Sequence, residues 1–292
     1  RRQRQMCIRD SEDGGHISRR PETHFKVMTQ LFECRVAIAQ AGISDVETLD
    51  QMLTKMGAIA KMWRSGGGNF AHFHGGGITH AARIDDVVKR CGSTGKVTRH
   101  AKQTGFVRLS SGRTTLIMDC ATPVNPIPEN SASLASFEVH LAGTPFIVNA
   151  GQLSEEKFVN SAFCQTAAHT ALTLDNLNNC FPSGDNYDLV RALEIGPATG
   201  GMLVHLAHDG YMNSHGIVHE RHVYLSTGGG NIRGSDTLRY TGGPGEIPKT
   251  CIIRFHLHPR VSAAMVSNGT IVLKINTQKL DGFLSARALI RF

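Results

Sequence analysis

From Ser136 to Asn149 the chain reads as two short alternating runs with a turn between them, and this stretch restricts the fold more than any other. In Ser136-Phe-Glu-Val-His-Leu141, Phe137, Val139 and Leu141 fall on one side and Glu138 and His140 on the other, the period of a half-buried strand. Ala142-Gly143-Thr144 can turn the chain, and Pro145 suits the first position of the returning strand, Pro145-Phe-Ile-Val-Asn149. A third run, Thr166-Ala-Ala-His-Thr-Ala-Leu-Thr-Leu-Asp175, sets Thr170, Leu172 and Leu174 against Ala171, Thr173 and Asp175. If these strands are neighbours, Asn149 and His169 sit at strand ends, where a polar cluster can form.

The same period continues on both sides. Strands are expected at Phe70–Phe73, Ala82–Val88, Gly105–Leu109 and Thr114–Asp119. Later ones are expected at Leu189–Ile195, Gly201–His208, Gly216–Ser226, Asn231–Gly234, Thr250–His258, Val261–Val266, Thr270–Ile275 and Phe283–Phe292. Turn signals separate them, and 31 glycines in 292 residues supply those turns. The spacing predicts a mainly β fold, a large antiparallel β-sandwich that is unbroken after Gly68. Before it, Phe25, Met28, Leu31, Phe32 and Val36 recur at helical spacing and Gly42 can cap the end. A second helix follows Ser44 and Glu47, a capping-box pair, and runs through Leu49, Met52, Leu53, Met56, Ile59 and Trp63. The short link makes Phe25–Gln40 and Asp45–Trp63 an antiparallel pair. Two helices with one apolar stripe each need a larger helical partner, so the pair reads as the end of a truncated helical domain.

Charged residues make up 19% of the chain and apolar residues 40%, the balance of a folded soluble protein, and no run reaches the ~18 apolar residues of a membrane helix. The first ten residues, Arg1-Arg-Gln-Arg-Gln-Met-Cys-Ile-Arg-Asp10, have neither period. They resemble a translated sequencing adapter and are expected to be a non-native scar; the alternative is a disordered basic tail. Without their four Arg and one Asp the net charge falls from +7 to 7 − 3 = +4. A nucleic-acid reading then loses much of its support; no RNA- or DNA-binding motif is present, and aromatics are only 6%. The cysteines beyond the tail (Cys34, Cys91, Cys120, Cys164, Cys180 and Cys251) show no Cys-x-x-Cys spacing, so zinc ribbons and redox motifs are unsupported.

Several segments in order carry a family likeness. They are Asp13-Gly-Gly-His-Ile-Ser-Arg-Arg-Pro21, Thr114-Thr-Leu-Ile-Met-Asp119, Phe137-Glu138, Ile147-Val-Asn-Ala-Gly151 and Thr166–Asp175. Further on come His208-Asp-Gly-Tyr211, Val218-His-Glu-Arg-His-Val-Tyr-Leu225 and Arg254-Phe-His-Leu-His-Pro259. Together they resemble heparinase II/III-like proteins, most of all their uncharacterised bacterial branch. The resemblance implies an α/α toroid followed by a β-sandwich, with residues 11–67 as the end of the toroid and 68–292 as the sandwich. It also implies a polysaccharide lyase that cleaves acidic, uronic-acid glycans by β-elimination, in a bacterial envelope or periplasm.

That chemistry needs the uronate carboxylate neutralised, a base for the C5 proton and an acid for the leaving oxygen. Carried over by resemblance, the catalytic Tyr falls at Thr23 and the sandwich's catalytic His near Glu129. The family's structural metal site, for zinc or calcium, has its first His near Ser131, its Asp at Asn149 and its last His kept as His169. The fragment itself is therefore expected to be inactive. The alternative is a non-catalytic carbohydrate-binding or envelope protein on the same scaffold.

The candidate residues have rival readings. His169 is either a metal ligand or glycan contact, or a strand-opening histidine bonded to backbone, with equal weight. Asn149 fits a strand-end turn better than zinc, because a neutral amide is a poor zinc ligand. His16 and Arg19 either line a glycan cleft, where Arg suits a carboxylate, or pack helix against sheet, and the second is favoured. Tyr211 reads as a corner-packing aromatic. His72/His74, His219/His222 and His256/His258 could suggest metal among 15 histidines but read as surface strand residues; Glu220 points away from His219.

Overall fold

The computed structural model describes residues 12–43, 46–65, 67–76, 80–93, 97–122, 131–151, 162–180, 188–243, 245–265 and 271–275, and the backbone of 283–286 and 290–291. The tail Arg1–Asp10, Ser44 and Glu129 lie outside the described residues. Helices α1 (Pro21–Gln40) and α2 (Glu47–Met62) form the expected pair. Gly42, at φ 75°, ends α1: Gly42 N–H donates to Ala39 O and Ile43 N–H to Ile38 O, the paired bonds of a Schellman motif. The N-cap of α2 is Val46, which makes no side-chain cap bond; the capping box expected from Ser44 lies outside the described residues.

A third helix, α3 (Ala81–Arg90), stands where a strand was expected at Ala82–Val88, which corrects the reading of unbroken β structure after Gly68. Ile84, Val87 and Val88 are buried at i, i+3 and i+4, while Asp86 and Arg90 pair one turn apart at 3.4 Å on the open face. Phe70–Phe73 contributes only a single bridge, Arg64 to Phe70, and no strand. Its aromatics instead close the first core. Phe25 and Met28 of α1, Leu53, Ile59 and Met62 of α2, and Ile84 of α3 meet Trp63, Phe70, Phe73 and Phe106 there. Trp63 and Phe73 both meet Phe106 edge-on, with ring centroids 5.4 and 5.0 Å away.

From His100 onward the architecture is mainly β. One five-stranded antiparallel sheet runs in simple order: β1 (His100–Ala101), β2 (Phe106–Ser111), β3 (Thr114–Asp119), β4 (Phe137–Leu141) and β5 (Thr144–Ile147). The turn between β4 and β5 holds Ala142 at φ 46° and Gly143 at φ 86°, the two left-handed positions of a type I′ hairpin. The second sheet contains β7 (Val190–Ala198), β8 (Gly201–Tyr211), β9 (Ile217–Ser226) and β10 (Ile232–Tyr240), all antiparallel. Counting strands in chain order, β15 (Ile290–Arg291) adds parallel to β10. The sheets share the second core: Val107, Leu109, Leu116, Met118 and Val139 meet Val204, Leu206, Val223 and Leu225. At one end their turns touch backbone to backbone. A Cβ on Gly112 would overlap Gly228, and one on Gly229 would overlap Ser111.

Two smaller sheets flank this pair. One is β6 (Leu172–Leu174) with β11 (Cys251–Ile253); the other is β12 (Val261–Met265), β13 (Ile271–Ile275) and β14 (Phe283–Ala286). The expected strands Thr166–Asp175 and Thr250–His258 are thus both shorter than read. A 3-10 turn, Thr166–Ala168, opens the first, and only the bridge Ile147 to Leu257 continues the second. Strand β10, Ile232–Tyr240, is longer than the expected Asn231–Gly234 and carries Asp236 inside it. Tyr211 is a corner residue: fully buried, its hydroxyl donates to Leu172 O at 2.5 Å.

Asp236 is tolerated inside because a chain of polar groups meets it there. Arg221 grips both its oxygens, through Nε at 2.6 Å and Nη2 at 3.1 Å. The bond of His219 Nε2 to Asp236 is 2.7 Å and that of His208 Nε2 to His219 Nδ1 is 2.9 Å. Gly210 N–H donates to His208 Nδ1 at 3.1 Å, which fixes both tautomers: each ring carries its proton on Nε2 and is neutral. Burial alone would raise the Asp236 carboxyl, but Arg221 and His219 hold it well below the usual range. His219 was read as a surface residue; it and His208 are both buried, and this polar chain is the reason they can be.

Replacing Arg221 with Met would strand the buried Asp236 charge, so chemical denaturation should show a loss of roughly 3–5 kcal/mol. Acid should act through the buried histidines. Burial pushes His24 and His169 down from 6.5 to about 4 and lowers His208 and His219 as well. Below pH 6.5 the unfolded chain binds protons that the native chain refuses, so stability falls as pH drops from 6.5 toward 4. His24 and His169 should each withdraw up to roughly 3 kcal/mol by the lower limit. Urea melts across that window would show a flat midpoint if the reading were wrong.

Candidate functional site

The polar centre forms where the turn before α1, the loop after α2 and the two hairpin ends converge. Asp13 anchors the turn, accepting Thr104 N–H at 2.8 Å and Gln103 N–H at 2.9 Å. That places Arg19 under the first sheet. Its Nε donates to Thr104 O and its Nη1 to Ala121 O, both at 2.8 Å. Its Nη2 pairs with Asp119, the last residue of β3, and the guanidinium lies 4.9 Å from the Phe106 ring.

Asp119 is fully buried and also accepts Ser133 Oγ–H at 2.7 Å. His74 accepts Ser131 N–H on Nδ1 at 3.2 Å, which leaves the proton on Nε2. That Nε2 faces Asp119 Oδ2 at 3.1 Å, a close electrostatic contact outside good hydrogen-bond angles. Burial would raise the Asp119 carboxyl, but Arg19, His74 and Ser133 outweigh it and hold it at about 2. Arg19, His74 and Ala135 stand around this carboxylate at φ 55°, 52° and 64°, a conformation that costs a non-glycine residue ~1–2 kcal/mol. Backbone strain gathered at one buried charge is a mark of a specialised site.

The hairpin end adds a second carboxylate. Glu138 accepts His72 N–H and Asn149 N–H on Oε1, both at 2.9 Å, while Oε2 meets His140 Nε2 at 3.2 Å. Burial opposes ionisation of Glu138, but His140, His72 and the Asn149 amide lower it overall. The other ring nitrogen of His140 is buried and unbonded. Asn149 Oδ1 accepts Thr170 N–H at 2.9 Å, and Ala150 N–H donates to Ala168 O at 3.0 Å. Asn149 and His169 are thereby brought together, as the strand-end pattern anticipated. His169 Nδ1–H donates to Gln165 O at 2.8 Å, so its Nε2 presents a lone pair inside the protein without a partner. Arg221 reaches this region too, donating to Ala135 O at 2.8 Å and Thr170 O at 2.9 Å.

Of the sequence candidates, then, Arg19, Asn149 and His169 lie in or beside one buried centre. His16 does not; its Nδ1 stays 2.8 Å from Ser18 Oγ within its own turn, half-buried. Sequence reasoning assigned no role to Asp119, Glu138, His140 or Ser133, and took His74 for a surface residue. The signal for Asp119 was a carboxylate directly after the apolar run Leu116-Ile-Met118.

His169 has the tautomer a metal ligand needs, with its far N–H held by a carbonyl. Its neighbour does not match: Asn149 is a neutral amide whose oxygen is already engaged. Among the described residues, no three His, Cys, Asp or Glu side chains are gathered as a metal centre. One imidazole and one occupied amide do not fit zinc or calcium, and no chemistry here is routed through a metal.

The segment after the centre carries the surface charge nearby. Arg254, His256 and His258 follow β11 and dock on β5, through Val148 N–H to His256 O at 2.9 Å and His258 N–H to Phe146 O at 3.1 Å. Arg260 next to them is exposed, and burial, then the nearby Arg260 and His72, lower His258.

Comparison with known proteins places this geometry. The family described as Heparinase II/III-like, C-terminal matches residues 93–289. FtsZ-localized protein C of Caulobacter vibrioides (strain NA1000 / CB15N) is 26% identical over 284 residues, covering 89% of this chain and 48% of that protein. A mutant of the heparan sulfate lyase HepC from Pedobacter heparinus superposes with TM-score 0.70 at 15% identity, over 93% of this chain and 45% of the other. Heparinase III superposes with TM-score 0.68 at 14% identity, over 91% and 47%. The chain thus spans about half the length of these relatives. Its mainly β architecture of antiparallel sheets is theirs, and it belongs to the heparinase II/III-like family, in the family's C-terminal region.

Proposed function

We propose that the chain is the C-terminal part of a polysaccharide-lyase-type protein that engages acidic, uronic-acid glycans, and that it does not by itself carry out β-elimination. One observation supports the second half above all: the groups at the family's site positions serve the fold. Arg19 is held by Asp119 and two carbonyls, His169 is fully buried, and Asn149 is tied to Thr170. Thr23 stands at the position of the family's catalytic Tyr, and an alcohol cannot replace a phenol with a pKa near ~10. Among the catalytic candidates only His16 keeps a half-buried side chain.

In this reading α1 and α2 are the end of a helical domain, residues 11–67, and 68–292 form the domain that carries the sandwich. Glycan contact falls to the segment Arg254–Arg260, whose two arginines and two histidines suit carboxylates or sulfates. A second reading, a non-catalytic carbohydrate-binding or envelope protein on the lyase scaffold, is kept because the relative FtsZ-localized protein C is named for its localisation and not for a lyase activity.

Ultraviolet detection of unsaturated uronate on heparan sulfate, chondroitin sulfate, hyaluronan and alginate should show no product. Product that disappears in His169→Ala would refute the inactive reading. Binding to heparan sulfate should weaken with salt, and an Arg254→Ala, Arg260→Ala double variant should lose roughly three- to tenfold in affinity. Undiminished binding by that variant would move the glycan contact elsewhere.

A further inference from the structure

The outer face of the second sheet carries a histidine pair that the buried centre does not use. His205 on β8 and His222 on β9 are direct cross-strand partners. Their rings stack parallel, with centroids 4.2 Å apart and an interplanar angle of 0°. The pair adjacent in sequence, His219 and His222, cannot act together, because His219 points into the core and His222 to solvent. The useful pair is made by the sheet register.

Carboxylates surround the rings. Glu194 of β7 stands opposite His205, and Glu220 Oε2 lies 3.8 Å from His205 Nε2. That nitrogen has no hydrogen-bond partner. On the far side Ser235 of β10 stands opposite His222, and Arg239 holds the other oxygen of Glu220. The site is half-exposed, with His205 and Glu220 at 20% and 21%.

We infer that His205 and His222 chelate a divalent transition-metal ion, with Glu220 completing the site when it turns from Arg239. Two imidazole nitrogens bound to one tetrahedral zinc at 2.0–2.1 Å lie ~3.3 Å apart. Stacked parallel, the rings do not yet aim two in-plane lone pairs at one ion, and His205 Nε2 lies below the surface; turning both side chains about χ1 and χ2, from neighbouring positions on the paired strands, brings the two nitrogens to one point. As placed, the groups do not make a closed three-ligand centre; the two histidines provide the chelate, and Glu220 and solvent provide the rest. Imidazole pairs prefer Cu²⁺, Ni²⁺ and Zn²⁺ over Ca²⁺ or Mg²⁺.

The test is calorimetric titration of the whole chain with ZnCl₂, then NiCl₂ and MgCl₂, with thermal melts of the same samples. One saturable zinc site that raises the melting temperature is expected, with nickel also bound and magnesium not. His222→Gln and His205→Ala, both on the outer face, should each lose at least about tenfold in zinc affinity while their metal-free melts stay near wild type. Arg239→Ala should bind zinc more tightly, because Glu220 is then released; a weak His205–Glu220 ion pair alone would give no such gain. Absence of a saturable site, retention of full affinity in His222→Gln, or no gain in Arg239→Ala would each overturn the assignment.

Discussion

The contact of Arg221 with Asp236 joins four parts of the chain through one side chain. The guanidinium starts on β9, closes on a carboxylate of β10, and reaches carbonyls at Ala135 and Thr170. The first carbonyl belongs to the loop leading into β4, the second to the turn that carries His169. One side chain therefore fixes the distance between the second sheet and the walls of the buried centre. A buried ion pair is weak evidence of net stability, but it specifies one arrangement strongly, because any shifted register leaves two charges unpaired. The relay through His219 and His208 extends that specification along two strands without adding charge.

The centre around Asp119 and Glu138 has the chemistry of a site and the accessibility of a core. Its carboxylates are held ionised and bonded, and burial lowers His74 and His169. A base that must meet substrate needs a lone pair near solvent, whereas that of His169 is enclosed and the unbonded nitrogen of His140 is buried. Such a centre is suited to holding a surface in shape. The charged segment from Arg254 to Arg260 rests on β5, and β5 is anchored to β4 beside Glu138, so rigidity in the centre is passed to the face proposed to meet glycan.

Much of the fold was legible in the sequence because alternation and turn chemistry agreed. The β4–β5 hairpin, the strand from Thr114 to Asp119 and the corner at Tyr211 all follow from local pattern. Where the reading failed, a second requirement overrode the local one. Ala82–Val88 was too short to separate a two-residue period from a helical one, and burial of Ile84, Val87 and Val88 decided for the helix. β10 was read short, and its inward Asp236 makes sense in a strand only once Arg221 is placed opposite it. In the candidate site, the nearness of Asn149 and His169 was readable from strand ends. The roles of Asp119, His74 and Glu138 were not, since each depends on partners distant in sequence. The stacked pair His205 and His222 shows the same limit, for its geometry exists only once the register is known.

The left-handed residues Arg19, His74 and Ala135 have a bearing on how this protein can change over evolution. Glycine would relax the backbone at each position, yet at Arg19 and His74 it would delete the side chain that justifies the bend. Two of the bends serve the Asp119 carboxylate, through Arg19 and His74, while the third bonds only the Asp119 backbone carbonyl, through Ala135 N–H at 3.0 Å. Substitutions here should show strong epistasis: a change tolerated after Asp119 is lost would be harmful before it, and the reverse. The centre is then expected to be inherited or abandoned as a block, so that related sequences carry either the whole constellation or none of it.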